Sequence, residues 1–431
     1  MKKNLLLILA VCAVFVIGCK PHIVNPEEPD PKKDDTIHDT IHDTIHEDTI
    51  ARIDTISIDT ITYDTTINLN NDRVVCSYVE WYGNKLPDPS KVTNICYAFA
   101  ELYVRDGVYQ KFDLSGKNWN QFKRVIKLKE KNPKLKIQIS FSHVCENDDN
   151  FQGGGFSMMA KSEEQMARFA HDCKEFCREW NLDGIDIDWE LPGLSWSGHA
   201  CDPAVDTENY TRLMKLLRDS LPFGEYLLTY AGYPKDMQQI EGGWRFINNI
   251  EVEPYVDWFN VMTYDMGHGK IPHNAMKCPD ADWDIWNMYN QFNKKGYPMH
   301  KMVLGIAFYG RCNFDEKPEC YDYNVIAGQI KNGVWTSKYH PLWNVPYVID
   351  RSGNVLCSYD DERSIAYKAN WANLHNLRGF MWWAQGGDDT KGTLTTACWN
   401  GLKTETQKWQ YMIYHLSDST QVQSKPIQIF D

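Results

Sequence analysis

Eight apolar runs of strand length recur along this chain, and helical patterns lie between them. They cover residues 74–79, 94–100, 135–141, 182–190, 226–231, 258–264, 302–308 and 379–383. The clearest intervening helix is predicted over residues 162–180, where Met166, Phe169, Cys173, Phe176 and Trp180 recur at three- and four-residue steps. That spacing makes one apolar stripe, and Ser162 with Gln165 matches a capping box at its start. Residues 207–221, 282–295 and 361–377 read the same way. Apolar strands alternating with helices predict an α/β fold with a parallel sheet, a (β/α)8 TIM barrel. A doubly wound open sheet is the rival, but it lacks support from any Gly-rich dinucleotide turn. The stretch 311–378 is too long for one helix. Its runs Val334-Trp335, Pro346-Tyr347-Val348-Ile349 and 355–359, around a Gly353-Asn354 turn, predict a small β-rich (α+β) insertion at about 312–360.

The fourth run carries the chemistry. From Asp183 to Glu190 it reads DGIDIDWE. A strand alternates its faces, so Asp186, Asp188 and Glu190 point one way while Ile185, Ile187 and Trp189 point the other. Carboxylates in file on an apolar strand repel each other and lose solvation. A solvated acidic edge or a metal site are the plainer readings, but the Ile and Trp face demands burial. The spacing therefore predicts carboxyl groups with raised pKa values, Glu190 protonated near neutral pH, and Asp186 with Asp188 a coupled pair sharing a proton. Asp183 is out of register with the other three and reads as a structural residue at the strand entrance.

Composition bounds the partners. A net charge of −13 argues against nucleic acid, which needs a clustered basic surface. Most of the 16 Trp and 23 Tyr will be core, with a minority free to stack on sugar rings. The 13 cysteines contain no C-x-x-C pair, and their scatter argues against zinc. No metal or cofactor is expected. Cys312 and Cys320 are a candidate disulfide. At the N-terminus, Lys2 and Lys3 precede an apolar run over 5–17, too short to be read as a membrane span. It ends in Val16-Ile17-Gly18-Cys19, which resembles a bacterial lipobox. That resemblance implies a signal peptide over 1–19, lipidation at Cys19, and an exported protein anchored to a membrane on its periplasmic or cell-surface side. Residues 20–71 contain the echo DTIHDTIHDTIHEDTI and read as a low-complexity tether. His38, His42 and His46 would form a metal stripe on a helix, but the Thr and Ile between them are poor helix formers. A folded domain over 72–403 and a C-terminal extension over 404–431 complete the division, with a monomer expected.

Several blocks in order resemble glycoside hydrolase family 18, the chitinase-like family, over roughly residues 73–402. DGIDIDWE matches its D-x-x-D-x-D-x-E signature at every fixed position. Val261-Met262-Thr263-Tyr264-Asp265 falls where its sixth strand carries M-x-Y-D, KMVLGIAFYGR ends at Arg311 in the place of its seventh, and GFMWW ends at Trp383 in the place of its eighth. VPYVID and CSYDDERSIAYK resemble its insertion and the helix that follows. The resemblance implies substrate-assisted hydrolysis, in which the substrate's own N-acetyl group is the nucleophile. Glu190 would be the general acid and then the base, and Asp188 would bind the acetamido nitrogen, tuned by Asp186. Tyr264 would bind the acetamido oxygen, with Asp265 contacting the sugar. Trp383 would floor the reacting sugar, with Tyr78 and Trp81 lining the cleft and Met262 and Arg311 on the substrate side. The third strand departs from the family, ending Ser140-Phe141-Ser142-His143 where S-x-G-G is usual, and Leu191 replaces a common Tyr. Both changes touch substrate fit. The implied partner is an oligo- or polysaccharide containing N-acetylglucosamine, chitin or chitooligosaccharides. An endo-β-N-acetylglucosaminidase acting on N-glycan cores and a non-catalytic chitin-binding lectin are the alternatives.

Overall fold

A computed structural model describes residues 58–61, 72–142, 155–194, 200–235, 244–245, 247–267, 272–279, 281, 283–311, 320–403, 409–415 and 422–428. Residues 1–19 with Cys19, the histidines His38, His42 and His46, His143 and Cys312 lie outside them. The chain divides into two compact units, Leu69–Glu405 and a second that joins Met1–Asn68 to Thr406–Asp431.

The larger unit is a closed parallel barrel. Its strands in chain order are Val74–Glu80, Asn94–Arg105, Lys136–Ser142, Gly184–Asp188, Leu227–Gly232, Trp258–Val261, Met302–Ala307 and Gly379–Trp383. Each pairs with the next, and the eighth pairs with the first, Gly379 opposite Val74 and Trp382 opposite Ser77. All eight fall within or beside the predicted apolar runs. The main helices Glu163–Trp180, Asp206–Ser220, Ile285–Lys294 and Glu362–Leu374 also fall where the periodicity puts them. Two apolar layers result. One packs the outer strand faces on the helices, with Phe122, Phe169 and Phe259 fully buried. The other fills the barrel with Cys76, Tyr78, Cys96, Met262, Tyr264 and Met381.

Three local features differ from the sequence reading. Strand two runs on to Arg105 and folds back as Val108–Leu114, an antiparallel hairpin whose alternation is masked by half-exposed polar residues. That hairpin diverts the predicted capping box. Ser162 does accept the Gln165 N–H, but the Gln165 side chain accepts from Tyr109 N at 2.5 Å instead of closing back on the cap. The insertion begins earlier than 312, because Tyr309–Arg311 already belongs to its five-stranded antiparallel sheet. The other strands are Cys320–Asp322, Val355–Ser358, Val345–Ile349 and Thr336–His340.

In the smaller unit Ile58–Ile61 pairs antiparallel with Trp409–His415, which pairs with Val422–Gln428. Composition predicts no structure in residues 20–71, and this strand departs from that. Its β-branched Ile and Thr suit a pleated ribbon once a partner edge is supplied. No helix among the described residues is long and apolar enough to cross a membrane.

Barrel closure leaves no room at Gly379. Its φ is 152°, and a Cβ there would lie 1.9 Å from the Val74 carbonyl oxygen. Replacing Gly379 by Ala must open the seam between the last and first strands, and is expected to cost at least about 2 kcal/mol. The loss would be read as a lower midpoint in urea denaturation followed by circular dichroism; an unchanged midpoint would refute the close approach.

Candidate active site

The centre of the barrel is organised by one carboxylate. Asp186 is fully buried, and four donors converge on it: the Tyr78 hydroxyl at 2.8 Å, Ser140 Oγ at 2.7 Å, Thr229 Oγ1 at 2.6 Å and Asn260 Nδ2 at 3.1 Å. The geometry fixes their polarity. Thr229 already accepts a hydrogen bond from Gln138 Nε2, so its own proton faces Asp186. The Asn260 oxygen accepts from Trp258 Nε1, so its NH2 group faces inward. Strand register explains the convergence, since Ser140 and Thr229 are the direct pairing partners of Asp186 on strands three and five. Burial raises the Asp186 pKa and the four hydrogen bonds oppose the rise.

Asp188 lies two residues on, opposite Ser142 of strand three. It is buried, and its Oδ1 has no hydrogen-bond partner among the described residues. Burial first, then the charges of Glu190 and Asp186, hold its pKa well above the usual carboxylate range. The expected coupling with Asp186 is therefore electrostatic; the Asp186 oxygens are already taken by the four donors. Glu190 lies beyond the strand end, half-buried at the mouth. Its pKa is raised to about 7 by burial and then by Asp265. The like charge that lifts Glu190 is thus in the turn after strand six rather than at the alternate strand position expected from DGIDIDWE. Trp189, on the opposite face, stacks on Phe156 with centroids 5.3 Å apart. Asp183 ties strand four to strand three, accepting from Ile137 N and pairing with Lys129 and Lys136.

Strand six ends at Val261, and the turn after it supplies the second acidic position. Tyr264 is buried, and its hydroxyl donates toward Met381 Sδ at 3.8 Å. Burial and then Asp188, Glu190 and Asp265 raise its pKa strongly, which keeps it a hydrogen-bond donor. Asp265 adopts a left-handed φ of 56°, a conformation Asp tolerates. Its carboxylate pairs with Arg311, accepts from the Tyr309 hydroxyl at 2.8 Å and lies 3.4 Å from His273 Nδ1. Burial alone would raise its pKa, but His273 and Arg311 prevail and hold it at about 2. Asp265 therefore stays charged at neutral pH. Met262 is buried in the barrel wall beside this turn.

The aromatic positions separate into two kinds. Trp383 is half-buried, stacked on Phe99 at 5.3 Å and 18°, and offers its ring at the barrel mouth. Its neighbour Trp382 is fully buried against Phe308. Tyr78, expected to line the cleft, instead spends its hydroxyl on Asp186 and is only 2% exposed. Trp81 is half-buried just past strand one, with Tyr82 edge-on at 5.4 Å. Sequence reasoning missed Ser140, Thr229 and Asn260 around Asp186, and Tyr309 and His273 around Asp265. Asn260, Met262 and Tyr264 alternate in register, so Asn260 carried a detectable signal. Leu191 is buried, filling the position where Tyr is common. Among the described residues no group of three or more His, Cys, Asp or Glu is arranged to hold a metal ion.

The arrangement has relatives. The chain is 28% identical to Chitinase A1 of Niallia circulans, over 74% of this chain and 57% of that protein. It is 30% identical to Chitinase 63 of Streptomyces plicatus, over 69% of this chain and 50% of that one. It thus spans about half the length of these relatives. Among solved structures, a glycoside hydrolase family 18 N-acetylglucosaminidase from Paenibacillus barengoltzii superposes with a TM-score of 0.64 at 29% identity, covering 76% of this chain and 99% of that one. A class V chitinase from Nicotiana tobaccum, determined with NAG4, shares the fold at 21% identity and a TM-score of 0.65, over 77% and 99% of the two chains. Residues 73–388 match the model of glycosyl hydrolases family 18, and the chain belongs to that family.

Proposed function

We propose that this protein is a retaining glycoside hydrolase that cleaves β-1,4-linked N-acetylglucosaminides, chitin or chitooligosaccharides, with the substrate's acetamido group as nucleophile. The observation that carries the reading is the contrast among three neighbouring carboxyls. Glu190 is poised near neutrality at the mouth, while one oxygen of the buried Asp188 beside it has no hydrogen-bond partner among the described residues. Asp186 is fixed by four donors. The acetamido N–H of a bound sugar supplies the partner that Asp188 Oδ1 lacks. The acetamido oxygen attacks the anomeric carbon and the glycosidic C–O bond breaks, while Glu190 gives its proton to the leaving oxygen. The positive charge of the resulting oxazolinium ion favours the ionised form of Asp188. Tyr264 donates to the acetamido oxygen and orients it, and Trp383 floors the sugar. Water then opens the ring with Glu190 as base, so configuration is retained. The insertion builds one wall of a cleft suited to a linear chain. Names of relatives that include chitinases and an N-acetylglucosaminidase support the same substrate class.

The same proposal places the enzyme outside the cytoplasm. Residues 1–19 are a signal peptide, Cys19 carries the lipid anchor, residues 20–71 tether the domain over 72–403 to a bacterial membrane, and the protein works as a monomer. Mass spectrometry of the protein from a membrane fraction tests the anchor: a diacylglyceryl Cys19 at the mature N-terminus is expected, and an intact leader overturns it.

Turnover tests the chemistry. Glu190→Gln is expected to reduce hydrolysis of chitotetraose by about 10²–10⁴-fold or more while sugar binding by calorimetry persists; retained turnover would falsify the acid assignment. Asp188→Asn should slow the reaction about 10²–10³-fold, because the charge facing the oxazolinium is gone. Glu190 must be protonated to act as acid, so kcat/KM falls as pH rises through about 7. Asp265→Asn removes the charge that helps hold that pKa up, and should move the alkaline limb to lower pH. An unmoved limb would break the assigned coupling. Early product masses from chitooligosaccharides and N-glycopeptides offered together identify the glycan.

A further inference from the structure

A second buried carboxyl group stands at the rim, outside the chemistry described above. Glu80 ends the first barrel strand and is 4% exposed. Its carboxylate accepts the Gly386 backbone N–H, while its Oε2 has no hydrogen-bond partner among the described residues. The approach is so close that a Cβ on residue 386 would lie 1.8 Å from Glu80 Oε1. From the other side, Lys85 Nζ donates to the Gly386 carbonyl at 2.7 Å and to the Asp388 carbonyl at 2.5 Å. Asn324 of the insertion also reaches the Gly386 and Gly387 carbonyls, at 3.3 and 3.1 Å.

This gripped segment follows directly on Trp383. Its second residue, Gln385, is anchored through its side-chain oxygen by Ser77 Oγ at 2.9 Å and Trp382 Nε1 at 3.1 Å. Its last, Asp388, accepts from Leu394 N, Thr395 N and Thr395 Oγ1. Both ends are therefore fixed by side chains of the loop itself, and the middle is held from strand one. We propose that Glu80 is a positioning residue for the sugar floor: by accepting the Gly386 N–H it fixes the loop 384–388, and through that loop the pose of the Trp383 ring. The functional part of this proposal rests on Trp383 being that floor. Burial raises the Glu80 pKa to about 7, with its backbone donors and Lys85 opposing and Asp322 of the insertion adding to the rise. An oxygen remains to accept the Gly386 N–H in either protonation state, so a glutamine side chain can replace the carboxyl group.

Amide hydrogen exchange of the full chain tests this without any ligand. In Glu80→Ala the amides of residues 384–388 are expected to exchange at least about tenfold faster, with other strand-end segments unchanged. Glu80→Gln should keep them within about threefold of the parent. Gly386→Ala places its methyl group against Glu80 Oε1 and should release the same amides. Glu80→Asp, which withdraws the acceptor by one methylene without removing charge, is the second variant if Glu80→Ala does not fold. The matching functional readout is kcat/KM on chitotetraose, lowered about tenfold in Glu80→Ala and restored in Glu80→Gln. Unchanged protection in folded Glu80→Ala and Gly386→Ala overturns the proposal, as does equal loss in Glu80→Ala and Glu80→Gln. Because exchange needs no substrate, failure of the parent to hydrolyse chitooligosaccharides would strike the proposed function and leave the loop measurement to stand by itself.

Discussion

The interior of this barrel depends on solvating one buried carboxylate without water. Asp186 draws its four donors from strands one, three, five and six while standing on strand four itself. A buried anion without such partners would cost several kcal/mol or take up a proton. With them, the same network that satisfies the charge also sets how the strands meet. It decides the electrostatics above it as well, since Asp186 is one of the charges that keep the Asp188 pKa high. The proposed chemistry at the mouth is therefore built on a polar plug at the centre, and the plug is built on strand register.

A second constraint works from the rim inward. Glu190 takes its raised pKa from burial and from Asp265. Asp265 is available to act as that charge because His273 and Arg311 hold it ionised. The proposed acid and the group that tunes it thus follow different strands and are set by different neighbours. Pairs of carboxyls whose surroundings push their pKa values apart are a mark of divided roles, and here the separation runs from about 2 to about 7.

Much of this was legible in the amino-acid sequence, because period and register are local. Strand alternation alone puts Asp186 and Asp188 inside and Trp189 outside, and the apolar runs locate all eight barrel strands. The capping pattern at Ser162 was half right, because a capping box assumes that Gln165 has nothing better to bind. The Val108–Leu114 hairpin supplied a backbone N–H, and that hairpin was hidden by its polar outer residues. Tyr78 was harder still: an aromatic residue late in a strand reads equally as cleft or core, and only the approach of strands one and four across the barrel assigns its hydroxyl to Asp186. His273, Tyr309 and Glu80 gave no local signal, since each matters through a contact that depends on where a loop returns.

Arg311 closes the Tyr309–Arg311 strand, which belongs to the inserted sheet rather than to the barrel. Its guanidinium and the Tyr309 hydroxyl both end on Asp265. The insertion is therefore tied to the carboxylate that raises the Glu190 pKa. Exchanging it for a longer or shorter version from another protein would retune the pKa of Glu190, unless that first short strand stayed behind with the host.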